Sequence, residues 1–387
     1  MASKAEFQPA PGRRRDTAPA RAPGLAVLPW RDCADDIAAW DALATRAAEP
    51  NPFFESWYLL PALRAFDPAG DVRILRFEHE GKLAGLMPLV RQKRYYRRPA
   101  PNLANWLHAN CFLGAPLVSR GAEAPFWQAL LCWADRHTGA SLFLHLRDLP
   151  LQGRLFEALK AALAADERHA VLVHREERAL LASDLSPDAY LESAMSGKKR
   201  KELRRQFARL SEAGALAVDR RLDDADLAAW IDRFLTLESA GWKGQEGSAL
   251  ACSPLTAGLF RESLSGAAQR GRLERLTLTL DGQPIAMLAT FVTPPGAFSY
   301  KTAFDESFAR FSPGVLLQRE NLAMLARDDV AWTDSCAAAD HPMIDHIWRE
   351  RRPIGRVSIA IGGALRRTAF SWLAKAELAR NPVGPGL

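Results

Sequence analysis

The chain has 387 residues, 48% of them hydrophobic and 25% charged, with a formal net charge of +6. That composition reads as an ordinary globular chain of about two or three domains. The mild basic excess suits an anionic ligand but is too weak to imply DNA, and no apolar run is long enough to span a bilayer. The five cysteines, Cys33, Cys111, Cys132, Cys252 and Cys336, are scattered and form no CxxC pair. Reduced thiols of a cytoplasmic protein are expected, without a disulfide framework or a metal site. Asp345 and His346 are adjacent and point differently on any regular element, so with His341 they make no metal set.

Residues 1–24 carry Pro, Ala and Arg, including Arg13-Arg14-Arg15, and read as a disordered tail. The first domain is expected over 25–183. Leu25 to Leu28 reads as a strand, followed by helices over Asp35 to Ala48 and Ser56 to Phe66. Val72 to Glu78 and Leu83 to Val90 form a hairpin about Glu80-Gly81. Gln92 to Pro101 is a basic loop in which Arg91, Lys93, Arg94, Arg97 and Arg98 surround Tyr95 and Tyr96. Trp106 to Val118 reads as extended. A helix over Ala124 to His137, a strand over Ser141 to Arg147, a helix over Gln152 to Ala165 and a strand over Ala170 to Arg175 follow.

The second domain is expected over 184–387. A helix containing Lys198-Lys199-Arg200-Lys201 runs to about Glu212, and Ala215 to Arg220 is a strand. Asp224 to Ala240 is amphipathic, with Leu227, Trp230, Ile231, Phe234 and Leu237 on one face. Gly241 ends it, and Trp242 to Gly247 is a Gly-rich loop. A helix from Ser253-Pro254 precedes a second hairpin, Leu273 to Leu280 and Ile285 to Val292, about Asp281-Gly282. Phe298 to Phe304 alternates as a strand, and after a polar loop Ser312-Pro313-Gly314 opens a helix. Ser312 can cap it and Pro313 fits its first position. The last elements are a strand over Val330 to Ser335, a strand over Ile354 to Ile361 and a terminal helix after Gly362-Gly363. The stretch 75–90 lies over 276–291 with Gly81 on Gly282, so the chain reads as a tandem duplication.

A strand, two helices, three antiparallel strands, a helix and a strand, in that order, resemble a GNAT acyltransferase domain. Doubled, the order resembles the Fem-type aminoacyltransferases and the CelD-type acetyltransferase 6 group. The matching pieces are Ser196 to Arg200 with Leu203 to Arg205, Glu238 to Gly244, Tyr300 to Asp305, and Ser312 to Gly314. The resemblance implies an α/β (α+β) fold of tandem GNAT-like domains, with mixed, mostly antiparallel sheets flanked by helices. It also implies acyl transfer from a thioester, acyl-CoA first among them, to an amine or hydroxyl acceptor, with envelope or polysaccharide metabolism as the setting. A Fem-type ligase using aminoacyl-tRNA, and a non-catalytic partner of polysaccharide assembly, stay open beside it. The usual pyrophosphate loop, Arg/Gln-x-x-Gly-x-Gly/Ala, is missing before Pro313, which leaves CoA, a carrier protein and tRNA open as the donor's carrier.

The helix start at Ser312, Pro313 and Gly314, with the free backbone N–H groups of its first turn, is the candidate anion site, because a helix start carries partial positive charge. Lys198 and Lys199 oppose their own helix dipole, which a bound phosphate would relieve; Lys243 is a further phosphate or carboxylate contact. Trp242, Lys301 and Phe304 are the candidate substrate contacts, with Lys301 on the face opposite Tyr300 by strict alternation. Asp305 and Glu238 are rival general bases, and Tyr300 is either a general acid or a core aromatic. Asp334 either orients an acceptor or caps the turn after its strand.

Overall fold

Two tight turns set the frame. Glu80-Gly81 takes φ of +53° and +74°, and Asp281-Gly282 takes +50° and +76°. Two consecutive positive-φ residues give a hairpin turn the twist of the strands it joins. The second strand of each hairpin then carries one unpaired extra residue, Ala84 and Ile285. Turn and bulge keep the same spacing (282 − 81 and 285 − 84 are both 201), so the chain is a duplicated unit.

The structure, a computed structural model, describes residues 24–339, 341 and 343–379. Apart from Gly24, the tail expected over 1–24 lies outside the described residues, as does Pro342. The first half comprises β1 (Gly24–Pro29), α1 (Ile37–Thr45), α2 (Ser56–Phe66), β2 (Arg73–His79), β3 (Lys82–Gln92), β4 (Asn102–Asn105), β5 (Leu117–Val118), α3 (Glu123–Arg136), β6 (Phe143–Pro150), α4 (Arg154–Ala165) and β7 (Ala170–Leu181). The second half begins with α5 (Pro187–Ala194), α6 (Gly197–Glu212), β8 (Leu216–Arg221), α7 (Leu227–Ala240), α8 (Trp242–Gln245) and α9 (Pro254–Ala268). It continues with β9 (Leu273–Leu280), β10 (Gln283–Thr293), β11 (Gly296–Phe304), α10 (Pro313–Asn321), β12 (Trp332–Asp334), β13 (Glu350–Ala360) and α11 (Ala364–Leu378).

The strands join into one mixed sheet, ordered β1-β2-β3-β4-β6-β13-β7-β12-β11-β10-β9-β8, with β5 beside β3. Separate sheets were expected from the sequence; the two halves instead share one. Each half gives its last strand to the other. β13 lies between β6 and β7, and β7 pairs with β12. The long strands β7 and β13 pair antiparallel from Glu350–Leu180 to Ile359–Ala170, so neither leaves an open edge at the centre.

The core crosses the same seam. Trp57 of α2 sits 4.8 Å from Phe291, and Phe291 sits 4.5 Å from Tyr300, centroid to centroid. Such aromatic pairs add about 0.5–1.5 kcal/mol beyond the area they bury. Leu227, Trp230, Ile231, Phe234 and Leu237 of α7 are buried, as their spacing predicts. The segment 106–118 departs from expectation: only Leu117–Val118 is a strand. The rest is irregular, and side chains satisfy its backbone. Asn51 Nδ2 donates to the carbonyls of Leu113 and Ala115 at 3.2 and 2.7 Å.

Candidate active site

The parallel strands β11 and β12 pair from Gly296–Trp332 to Phe298–Asp334 and then part. β12 stops at Asp334, while β11 continues to Phe304. Beyond Phe298 that edge of β11 has no partner strand among the described residues, and such an edge presents its N–H and C=O groups. The wedge also contains a bulge. Ala289 pairs with Lys301 and Thr290 with Ser299, which leaves Tyr300 extra. A bulge interrupts the two-residue alternation and re-aims the side chains around it. The expectation that Lys301 faces away from Tyr300 is overturned for that reason.

Lys301 Nζ lies 5.6 Å from the Tyr300 ring centroid and 5.0 Å from that of Phe112. It donates to Asn110 Oδ1 at 2.8 Å. Asn110 and Phe112 belong to the irregular segment of the first half, so the wedge is lined from both halves. Burial, with the positive charge of Lys243 second, lowers the Lys301 ammonium to about 8. The same burial, with Lys301 as the neighbouring cation, lowers His108 to about 3. The Tyr300 hydroxyl lies 3.2 Å from that of Tyr58, which donates to the Asn110 carbonyl. Burial raises both tyrosines above their ordinary value, so Tyr300 is a protonated, hydrogen-bonded core aromatic.

Glu238 is buried, not solvent-facing. Its carboxylate accepts from Lys243 Nζ at 2.9 Å and from the Leu250 N–H at 2.8 Å. Lys243 also reaches the Thr302 carbonyl at 3.4 Å. The expected Gly-rich loop is the short helix α8, whose N–H at Trp242 donates to Glu306 Oε1 at 2.7 Å. Glu238, Trp242, Lys243, Thr302, Phe304 and Glu306 line a small crevice of about 20 Å³. That is far below the ~300–1,000 Å³ of drug-sized ligand sites, so the crevice by itself holds no ligand of that size.

Other predicted residues are placed differently. Asp305 Oδ1 accepts from the Ser307 N–H at 2.8 Å and its Oγ–H at 2.7 Å, capping a 3-10 turn over Glu306–Phe311. Ser312 precedes α10 in the left-handed region, φ +52°, and its side chain makes no cap bond. Pro313 holds the first helical position as expected. Pro313 and Gly314 are buried, and a Cβ added at Gly314 would lie 2.7 Å from Met343 Sδ. The anion site expected at Ser312, Pro313 and Gly314 is therefore covered. Lys198 and Lys199 are exposed on the first turn of α6, where Ser196 Oγ accepts the Lys199 N–H at 3.4 Å.

Sequence reasoning missed Asn110, Tyr58 and Cys336. Cys336 is buried at φ +53° just past β12, its N–H donating to Asp334 Oδ1 at 2.8 Å. Burial, then the Asp334 charge, raises its thiol well above the ordinary value. Asp334 is both a cap and the centre of an ion network, 3.0 Å from Arg352 and 3.6 Å from Arg178. Arg352 also pairs with Glu49 of the first half. A polar pair such as His108 and Asn110 inside an aperiodic apolar segment was the one available signal.

Residues 197–341, which contain β11, β12 and Lys301, match the profile of the acetyltransferase (GNAT) domain. By that match this segment is similar to a GNAT domain. No curated protein matches the chain. Among solved structures, FemX aligns at a TM-score of 0.55 and 10% identity, covering 87% of this chain and 98% of FemX. A conserved protein of unknown function from Bacteroides thetaiotaomicron aligns at 0.54 and 10% identity, covering 84% of this chain and 97% of that one. The C-terminal DUF2156 domain of an Agrobacterium fabrum protein aligns at 0.52 and 15% identity, covering 89% and 96%. At these identities the likeness is one of fold. It extends over nearly the whole chain, so both halves are part of the shared fold. No helix among the described residues is long and apolar enough to cross a membrane.

Proposed function

We propose that the chain transfers an acyl group from a thioester, acyl-CoA in the first reading, to an amine or hydroxyl at the β11–β12 wedge. The observation that carries this is the bulge at Tyr300, which turns Lys301 into an enclosed, bare edge of a GNAT-domain strand. The thioester carbonyl lies along that edge, where strand N–H groups stabilise the oxyanion. The acceptor nitrogen or oxygen bonds to the carbonyl carbon, the C–S bond breaks, and a proton passes from acceptor to thiolate. Lys301 is the group we assign to that proton, since its neutral form is available near pH 8. Glu238 is held by Lys243 and positions it; Asp305 is already engaged as a cap.

A CoA diphosphate reaches the Gly314 N–H only when Met343 swings away. Met343 is partly exposed, and its unbranched thioether has the freedom to move. A panel of CoA and pantetheine thioesters, scored by thiol release, tests the reading. Acyl transfer from any of them that Lys301→Met abolishes supports it; no turnover and no thermal shift with the whole panel removes it.

The covered start of α10 favours a second reading, an aminoacyl-tRNA donor. Lys198, Lys199, Lys201, Arg204 and Arg205 form an exposed basic face on α6, beside the turn Glu306–Phe311 that follows β11. Binding to tRNA that falls steeply with added salt distinguishes it, whereas indifference to RNA leaves the CoA reading alone.

A further inference from the structure

The last helix is amphipathic in the wrong sense for a solvent-facing surface. Phe370 and Ala374 of α11, four residues apart, are buried against Tyr95, Phe143 and Val171. Leu365, Ala369, Trp372 and Ala376 recur at helical spacing on the other side, and all are exposed. Leu365 is 89% exposed and Trp372 is 72% exposed, whereas a surface helix ordinarily turns its polar face to water. The arginines of the helix are drawn inward. Arg366 donates to the carbonyls of Ser141 and Gly139, and Arg367 pairs with Asp135 at 3.2 Å.

The basic loop 92–101 is fastened beside this helix. Tyr95 donates to Glu377 Oε1 of α11 at 2.7 Å and packs edge-on against Phe143. Its neighbour Tyr96 is 59% exposed, its hydroxyl accepting from Arg356 at 3.1 Å, among the exposed cations Lys93, Arg94, Arg97 and Arg98. Only a small crevice of about 30 Å³ separates loop and helix. Lys375 lies 5.9 Å from the Trp372 ring and adds a cation on the helix itself.

We infer that α11 and the 92–98 loop dock the protein on an anionic lipid surface, with Trp372 and Leu365 entering the headgroup boundary and the loop cations meeting lipid phosphates. The two halves of the patch select that occupant. Nucleic acid would reward the cations but not an exposed Leu365. A second copy of the chain, or an apolar protein groove, would reward the stripe but not four clustered cations. An anionic bilayer rewards both at once, and Trp and Tyr favour its interface. The attachment is peripheral and does not depend on the acyl-transfer reading.

Flotation of the full chain with phosphatidylcholine vesicles, with and without phosphatidylglycerol, tests it. The protein is expected to float only with the anionic vesicles. Trp372→Ser with Leu365→Ser, and separately Arg94→Glu with Arg97→Glu, are each expected to cut partitioning roughly tenfold or more without moving Tm. These side chains are exposed, so unchanged Tm confirms that the fold is intact. No flotation with either vesicle overturns the proposal, as does flotation that the Trp372 pair leaves unchanged. Homopolymer RNA binding lost only with the arginine pair reassigns the patch to nucleic acid. A dimer in sedimentation velocity that Trp372→Ser dissociates reassigns it to self-association.

Discussion

In the first half, β4 and β6 part after Ala104 and His145, as β11 and β12 part after Phe298 and Asp334. There the next residue, Asn105, fills the gap. Its Nδ2 donates to the carbonyls of Gly114 and Arg147, and its Oδ1 accepts the Arg147 N–H at 2.8 Å. Gly114 is required at that closure, since a Cβ there would overlap the Arg147 carbonyl. The helix starts diverge in the same way. Glu123, buried in the first turn of α3, accepts the Gly121 N–H at 2.7 Å, so a carboxylate already occupies the positive end. The first turn of α10 carries no acid. One copy of the frame thus seals its wedge with neutral amide bonds. The other leaves an amine, an open strand edge and a crevice, so a few side chains separate a wall from a site.

The sharpest way to break this comparison is Lys301→Met. Turnover is expected to fall ~10²–10⁴-fold, the range for a lost proton-transfer group. In the parent protein, turnover should rise about tenfold per pH unit below 8 and level off above it, because the neutral fraction of Lys301 sets the rate. Met at 301 should erase that limb, and a pH profile that survives it would place the chemistry elsewhere. The same group has a stability signature. Its folded pKa lies below the ordinary 10.5, so the unfolded chain binds more protons between about pH 8 and 10.5. Stability from this group therefore rises with pH across that window, and the Met variant should lose the slope in urea unfolding.

Next in size is Asp334→Ala. It leaves Arg178 and Arg352 facing each other where β7, β12 and β13 meet, and about 3–5 kcal/mol of unfolding free energy should be lost. The matched position is His145, whose Nδ1 lies 3.0 Å from Ser358 Oγ. Replacing that neutral pair by His145→Leu should cost only about 1–3 kcal/mol. Equal losses would show that the two seams are not electrostatically different.

Asn105→Ala sharpens the picture from the sealed side. It strips partners from two carbonyls and one N–H, at about 1–3 kcal/mol, and should leave turnover of the folded fraction unchanged. A change in KM there would bring the first wedge into the site. The smallest effect belongs to Glu123→Gln. It should cost about 1 kcal/mol or less at low salt, and less again in high salt, read as Tm.

Glu80-Gly81 and Asp281-Gly282 were legible because a two-residue turn is a local demand on φ that Gly, and Asp less easily, can meet. The buried stripe of α7 was legible from helical spacing alone. The Tyr300 bulge was not, because it depends on which residues of β10 stand opposite. Nor was the Lys301–Asn110 bond, which joins residues 191 apart in sequence. Ser312-Pro313-Gly314 was read correctly as a helix start, yet Met343 covers it from a segment whose path the local pattern does not reveal.

By itself the sequence determined the repeated hairpin, the order of elements and the apolar faces, all of which arise from forces between near neighbours along the chain. The exchange of β7 and β13, the sealing of one wedge and the enclosure of Lys301 in the other were decided only by the tertiary structure. Each requires groups far apart in the chain to lose water together, and both desolvation and strand pairing depend on what arrives from elsewhere in the fold.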